Sequence, residues 1–282
     1  MRTATEDPLD HPKIPNLHLG TSSWSSEDWR GVFYPSGTTP GDFITAYARH
    51  FDTVEVDATF YRTPAPALVK NWERRTPAGF TFAAKVPRSI THDKVMQDCE
   101  AELKEFLSAM DLLGAKLGPL LFQFPYFNKQ VFARPEDFLA RLDPFLKKLP
   151  SGYSFALEIR NKNWISERFL DLLRKYKVAF ALIDHPWMTP VGQLMTKFDP
   201  VTADFAYIRW LGDRKGIEEK TQHWDRIIQN REREMETWIP AIDKLLERQL
   251  CVYAYFNNHY AGFAPGSIAL FHEVWEKLHP SH

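Results

Sequence analysis

The sequence predicts an α/β fold in which eight parallel strands and the helices between them close one (β/α)8 barrel, the TIM barrel. Three observations predict it. Eight short apolar or β-branched runs recur along the chain, and each ends in polar residues. Segments of helical period separate most of them, which calls for a parallel sheet with helical crossovers. The open, doubly wound alternative would place a glycine-rich phosphate turn after the first run, and none follows it. The 282 residues accommodate a closed barrel of about 250.

The strands are expected at LHLGTS (17–22), TVEVD (53–57), FTFAAKV (80–86), GPLLFQF (118–124), SFALEIR (154–160), AFALIDH (179–185), FAYIRW (205–210) and CVYAYFNN (251–258). Between the third and fourth, Leu103, Phe106, Leu107, Met110 and Leu113 recur at helical spacing. Gly114 suits the position just past that helix. After the fifth, Phe169, Leu170, Leu172, Leu173 and Tyr176 form a stripe behind Ser166, an N-cap residue. After the sixth, MTPVGQLMTKFDP makes a poor helix, so the sixth helix is expected to be short or irregular. Met235, Trp238, Ile239, Ile242, Leu245 and Leu246 mark the next helix, which Pro240 should kink or open. Pro265 is placed to open the last, with Ile268, Phe271, Val274, Trp275 and Leu278 on its apolar face. No linker or internal repeat divides residues 16–282, which read as one barrel domain. Residues 1–15, polar and with three prolines, read as a flexible leader without the apolar centre of a signal peptide.

Composition narrows the function. The formal net charge is −1, which gives no bulk basic footprint for nucleic acid. No apolar run approaches the ~18 residues of a membrane span. Two cysteines, Cys99 and Cys251, form neither a disulfide framework nor a metal-spaced cluster, as in a reducing cytoplasm.

Successive strand residues point to opposite faces, and the sites of closed barrels lie at the C-terminal strand ends. The polar intrusions of this chain fall there. Glu55 and Asp57 come from the second strand, Lys85 from the third and Gln123 from the fourth. The fifth gives Glu158 and Arg160, the sixth Asp184, the seventh Arg209, and the eighth Asn257 with Asn258. Buried charges are costly unless paired or used, so these groups are expected to face one another across the mouth. Aromatics follow the same ends: Trp24, Trp29, Phe60, Tyr61, Tyr126, Trp164, Trp187 and Tyr260. Most would pack the loops, and a few would form a stacking wall. The turn AGFAPGS, with Gly262, Gly266 and Ser267, and Gly212 after the seventh strand suit an anion. For a metal, Glu55, Asp57, Glu158, Asp184, His92 and His185 are available. No short ligand motif appears, and Lys85, Arg160 and Arg209 would repel a cation, so no metal and no cofactor are expected.

The pieces GTSSW (20–24), FYP (33–35), TVEVDATFYRTP (53–64), KVPRSITH (85–92), LGPLLFQFP (117–125), LEIRNKNW (157–164), YIRW (207–210) and YAYFNN (253–258) together resemble the YecE-like proteins. This is a domain of unknown function with a TIM-barrel fold, and the likeness runs from Leu17 onward. The resemblance implies the barrel but no reaction. This chain departs from the family pattern at Ser23, where Gly is usual, at Asp57, where Asn is usual, and at Leu211, where His precedes the glycine. The fold also resembles sugar isomerases and the abasic-site endonuclease barrel. Retaining glycosidases of this fold carry carboxylates after strands four and seven, where this chain has Gln123 and Arg209.

The expected activity is acid/base chemistry at the barrel mouth on a small anionic, phosphorylated or carboxylated, sugar-like compound. Arg160 and Arg209 would bind the anion. Glu55 or Glu158 would act as base, Lys85 as acid or Schiff-base nucleophile, and His92 as proton shuttle. Asp57, Gln123, Asp184, Asn257 and Asn258 would orient the substrate. The alternatives are a metal-dependent phosphodiesterase of the abasic-site type and a ligand-binding barrel without turnover. A salt-bridge network that merely closes the barrel top is the structural reading of the same charges.

Overall fold

The computed structural model describes residues 12–280. Its eight strands are β1 Leu17–Thr21, β2 Thr53–Val56, β3 Thr81–Lys85, β4 Leu117–Gln123, β5 Phe155–Glu158, β6 Ala179–Asp184, β7 Phe205–Trp210 and β8 Cys251–Phe256. They pair in parallel in the order β1-β8-β7-β6-β5-β4-β3-β2. The circle therefore closes between β1 and β2, where no ladder runs.

That seam is held by other means. A side chain at Gly20 would place its Cβ 2.3 Å from the Thr53 carbonyl oxygen, so only glycine lets the two backbones approach this closely. The buried Tyr47 hydroxyl accepts from the Thr21 N–H at 2.9 Å and donates to the Thr53 carbonyl at 3.0 Å. One phenol thus stands in for a ladder bond.

The helices are α1 Phe43–Tyr47, α2 Pro66–Arg74, α3 Glu100–Met110, α4 Pro135–Lys147, α5 Glu167–Lys175, α6 Val191–Lys197, α7 Arg214–Glu218, α8 Glu232–Glu247, α9 Asn258–Ala261 and α10 Ala264–Leu278. Ser166 caps α5, its hydroxyl accepting from the Phe169 N–H at 3.3 Å. Gly114 takes a positive φ of 55° after α3, and Pro265 sits in the first turn of α10. The sixth helix is short, at seven residues. Pro240 does not open its helix: α8 begins at Glu232 and runs through it. The buried stripe of Met235, Trp238, Ile239 and Ile242 outweighs one missing helix hydrogen bond. Of the expected leader, residues 1–11 lie outside the described residues. Lys13 pairs with Asp52 at 3.0 Å, and Ile14 packs against the core.

Register assigns the two faces of each strand. Val54, Phe82, Leu120, Phe122, Leu157, Ile208, Trp210 and Phe256 form the buried outer layer beneath the helices. Inside, Ala83, Ala156 and Ala181 are small. They leave room for Tyr207 and Tyr255, fully buried rings with centroids 5.3 Å apart. The barrel is a packed core, and its buried charges gather at the C-terminal end.

Candidate functional site at the barrel mouth

The polar residues begin where the apolar filling ends. Arg209 is in register with Tyr255 on β8 and with Ile183 on β6, so it projects inward. Its Nη1 donates to Glu158 Oε2 at 2.7 Å, and its Nη2 donates to Glu55 Oε1 at 2.8 Å. The other oxygens are also occupied: Glu158 Oε1 accepts from Arg160 Nε at 2.6 Å, and Glu55 Oε2 accepts from the Tyr207 hydroxyl at 2.7 Å. Both carboxylates are fully buried. One guanidinium fork thus ties β2, β5 and β7 together, a geometry that an ammonium could not provide.

A second pair lies beside this bridge. Lys85 Nζ stands 3.1 Å from Asp57 Oδ1 and 4.0 Å from the centre of the Phe60 ring. Asp57 opens the 3-10 turn that follows β2 and is 33% exposed in its side chain. Arg209 is also within 3.8 Å of Asp57. Three carboxylates (Glu55, Asp57, Glu158) therefore face three cations (Lys85, Arg160, Arg209). Arg160 differs from the others because its two outer nitrogens find no hydrogen-bond partner among the described residues. It is a guanidinium with open donors at the mouth.

His92 lies in a single π-turn, Ser89–Asp93, with its ring 4.8 Å from Phe60 and its Nδ1 2.8 Å from the Thr91 hydroxyl. Gln123 is aligned with Glu158 across β4 and β5 and donates to the Phe124 carbonyl at 2.7 Å. Asn257 accepts the His259 N–H at 3.0 Å, and Asn258 accepts the Ala264 N–H at 2.9 Å. These two amides shape the turn into α9 and α10.

Asp184 is not part of this group. It is in register with the outward-facing Trp210 and accepts from Trp238 Nε1 on α8 at 2.9 Å. It lines a separate cleft with His185, Arg231 and Glu234. The sequence AFALIDH offers an acid at the strand end, but strand parity turns it to the helix layer. Sequence reading passed over Tyr207, the partner of Glu55, although it shares inward parity with Arg209 in FAYIRW. It also passed over Tyr47, which no local pattern distinguishes from a core residue.

Protonation follows from these neighbours. Burial alone would push the Glu158 carboxyl up, but Arg160 and Arg209 outweigh it and hold it at about 2. Burial works against the Arg209 cation, and Glu55 and Glu158 more than restore it. Burial, followed by Lys85 and Arg88, pushes His92 down to about 4. Burial and then Arg160 push His185 down to about 4. Both imidazoles are neutral at pH 7. Burial pushes Asp184 up against the pull of Trp238. Among the described residues, no group of three or more His, Cys, Asp or Glu side chains could hold a metal ion. No described helix is long and apolar enough to cross a membrane.

Comparison with known proteins agrees with this architecture. Residues 18–281 match the family described as Protein of unknown function DUF72. The chain is similar to UPF0759 protein YecE of Escherichia coli, with 29% identity over 151 residues, 54% of this chain and 51% of that protein. The match thus spans about half the length of that curated relative. It is similar to UPF0759 protein YunF of Bacillus subtilis at 25% identity, over 88% of this chain and 90% of YunF. Among solved structures, a DUF72 family protein of Thermotoga maritima superposes with a TM-score of 0.69 at 26% identity, covering 93% of this chain and 99% of that one. One of Enterococcus faecalis gives 0.66 at 22% identity, over 94% and 96% of the two chains, and shows the fold alone.

Proposed function

The chain belongs to the family described as Protein of unknown function DUF72, and from the chemistry of its barrel mouth we propose an enzyme that binds a small anionic compound there and moves a proton on it. The observation that carries this reading is Arg160. One nitrogen of its fork is anchored on a fully buried carboxylate, while the outer two are open at the place where closed barrels bind ligands. A guanidinium held in this way suits a phosphate or carboxylate. Lys85 adds a second cation.

The roles divide by availability. Glu55 and Glu158 have all four oxygens engaged, and Glu158 is held at about 2. They act as fixed counter-ions that keep Arg209 and Arg160 in place. Asp57, partly exposed, and His92, neutral at pH 7, are the groups able to take a proton. Lys85 beside them is the group able to give one. An anion seated between the cations offsets their effect on His92 and strengthens it as a base.

The test is thermal unfolding against inorganic phosphate at fixed ionic strength, for the wild type and Arg160→Gln. A ligand that binds only the folded state raises its midpoint, by about 2.7 kcal/mol of stability at a hundred times Kd. The wild type should respond and the variant should not. No response in the wild type, or an equal one in both, removes the reading.

A further inference from the structure

Beside the charged cluster, the ends of β1, β2 and β8 enclose a cavity of about 290 Å³ whose walls include Ser22, Trp29, Asp57, Tyr61, Trp224 and Asn257. Its polar groups are unusual in one respect. Ser22 Oγ and Trp29 Nε1 are buried and find no hydrogen-bond partner among the described residues, although buried donors and acceptors are ordinarily paired. Asp57 turns Oδ1 to Lys85 and leaves Oδ2 without a partner among the described residues. The Asn257 oxygen is taken by the His259 N–H, which commits its amide nitrogen to the other side. Tyr61 is 71% exposed at the rim. Trp224 also lines the cavity, its backbone N–H donating to Asp28 at 3.0 Å.

The donor and acceptor pattern selects a ligand class. A second anion would meet the Asp57 carboxylate. A cation would face the indole N–H and the carboxamide nitrogen, which offer it no lone pair. A neutral group bearing several hydroxyls satisfies all of them, since each hydroxyl both donates and accepts. Its C–H faces would pack on the two aromatic rings. The volume is at the small end of the roughly 300–1,000 Å³ of small-molecule sites, which suits one ring rather than an oligomer. We propose that this cavity seats the monosaccharide or similar polyol moiety of a ligand whose anionic group lies on Arg160 and Lys85. Asp57, which borders both regions, joins the two halves. The inference rests on the anion reading of the mouth for the ligand's other end.

The test compares affinities, by calorimetry and tryptophan fluorescence, for a panel of pentose and hexose monophosphates, propyl phosphate, inorganic phosphate and the matching free sugars. At least one sugar phosphate should bind ten or more times tighter than propyl phosphate. Ser22→Ala, which deletes a hydroxyl with no partner among the described residues, should leave the unfolding midpoint unchanged or raised. It should also reduce the advantage of the sugar phosphate by about tenfold, the effect of one hydrogen bond. Trp29→Phe should act in the same direction. Equal binding of sugar phosphates and propyl phosphate overturns the sugar site while leaving the anion site standing. Binding of free sugars without any response to phosphate supports the cavity and removes the anion reading. Loss of sugar affinity only in variants that also unfold more easily counts against a direct contact.

Discussion

Arg209 shows how much one side chain can carry in this barrel. Its fork neutralises two carboxylates from different strands, and both are wholly buried. Arg209→Met should lower stability by about 3–5 kcal/mol, the cost of leaving buried charge without its partner. Arg209→Lys should recover less than half, because one ammonium cannot span both partners. Urea unfolding at pH 7 measures this, and a loss below ~1 kcal/mol would mean that the bridge contributes little. The presence of these charges was legible in SFALEIR and FAYIRW, because strand parity places Glu158, Arg160 and Arg209 on one side. Their pairing was not legible, since Glu55 and Arg209 are remote in sequence and meet only across the closed sheet. The same parity rule, applied without the register of the neighbouring strand, gave the wrong face for Asp184.

At the scale of elements, the eight strands were legible almost to their ends, because β-branched and apolar runs bounded by polar residues identify buried parallel strands. Helices with a full apolar stripe, α3, α5 and α10, were equally clear. Pro240 suggested a kink or a start, and α8 does not start there, because tertiary packing overrides a local breaker. The β1–β2 seam left no sequence signal, as Gly20 and Tyr47 act only once the circle is formed. Tyr47→Phe should therefore cost about 1–3 kcal/mol, as two buried backbone groups lose their common partner. The Thr21 amide should also exchange with solvent faster, while the amides of β7 stay protected. Equal protection of Thr21 in both proteins would show that another group bridges the seam.

The whole molecule should have a stability optimum set chiefly by three histidines. His92 and His185 have folded-state values lowered to about 4 from 6.5. The unfolded chain therefore binds protons first as pH falls, and stability is lost from about pH 6.5 downward. Glu158, lowered to about 2 from 4.5, extends that loss to lower pH. At the other end of the barrel, the hydrogen bond to Asp52, and then that to Cys251, raise His18 to about 10 from 6.5. Its contribution is full below pH 6.5 and disappears as pH rises towards 10. The midpoint of chemical unfolding should thus peak near pH 6.5, and His18→Gln should flatten the alkaline limb alone. A wild-type profile level from pH 7 to 9.5 would contradict this.

The Glu55–Arg209–Glu158 bridge also has a mechanical meaning. β2, β5 and β7 stand roughly a third of the circumference apart, so the bridge works as a hoop stretched over three staves. Widening the rim would pull apart a dry ion pair, and narrowing it would crowd Tyr207 and Tyr255 below. A ligand meets an aperture of fixed bore. Any drift of this scaffold towards a different ligand would have to occur in the loops that carry Tyr61, Tyr126 and Trp187, while the staves stay as they are.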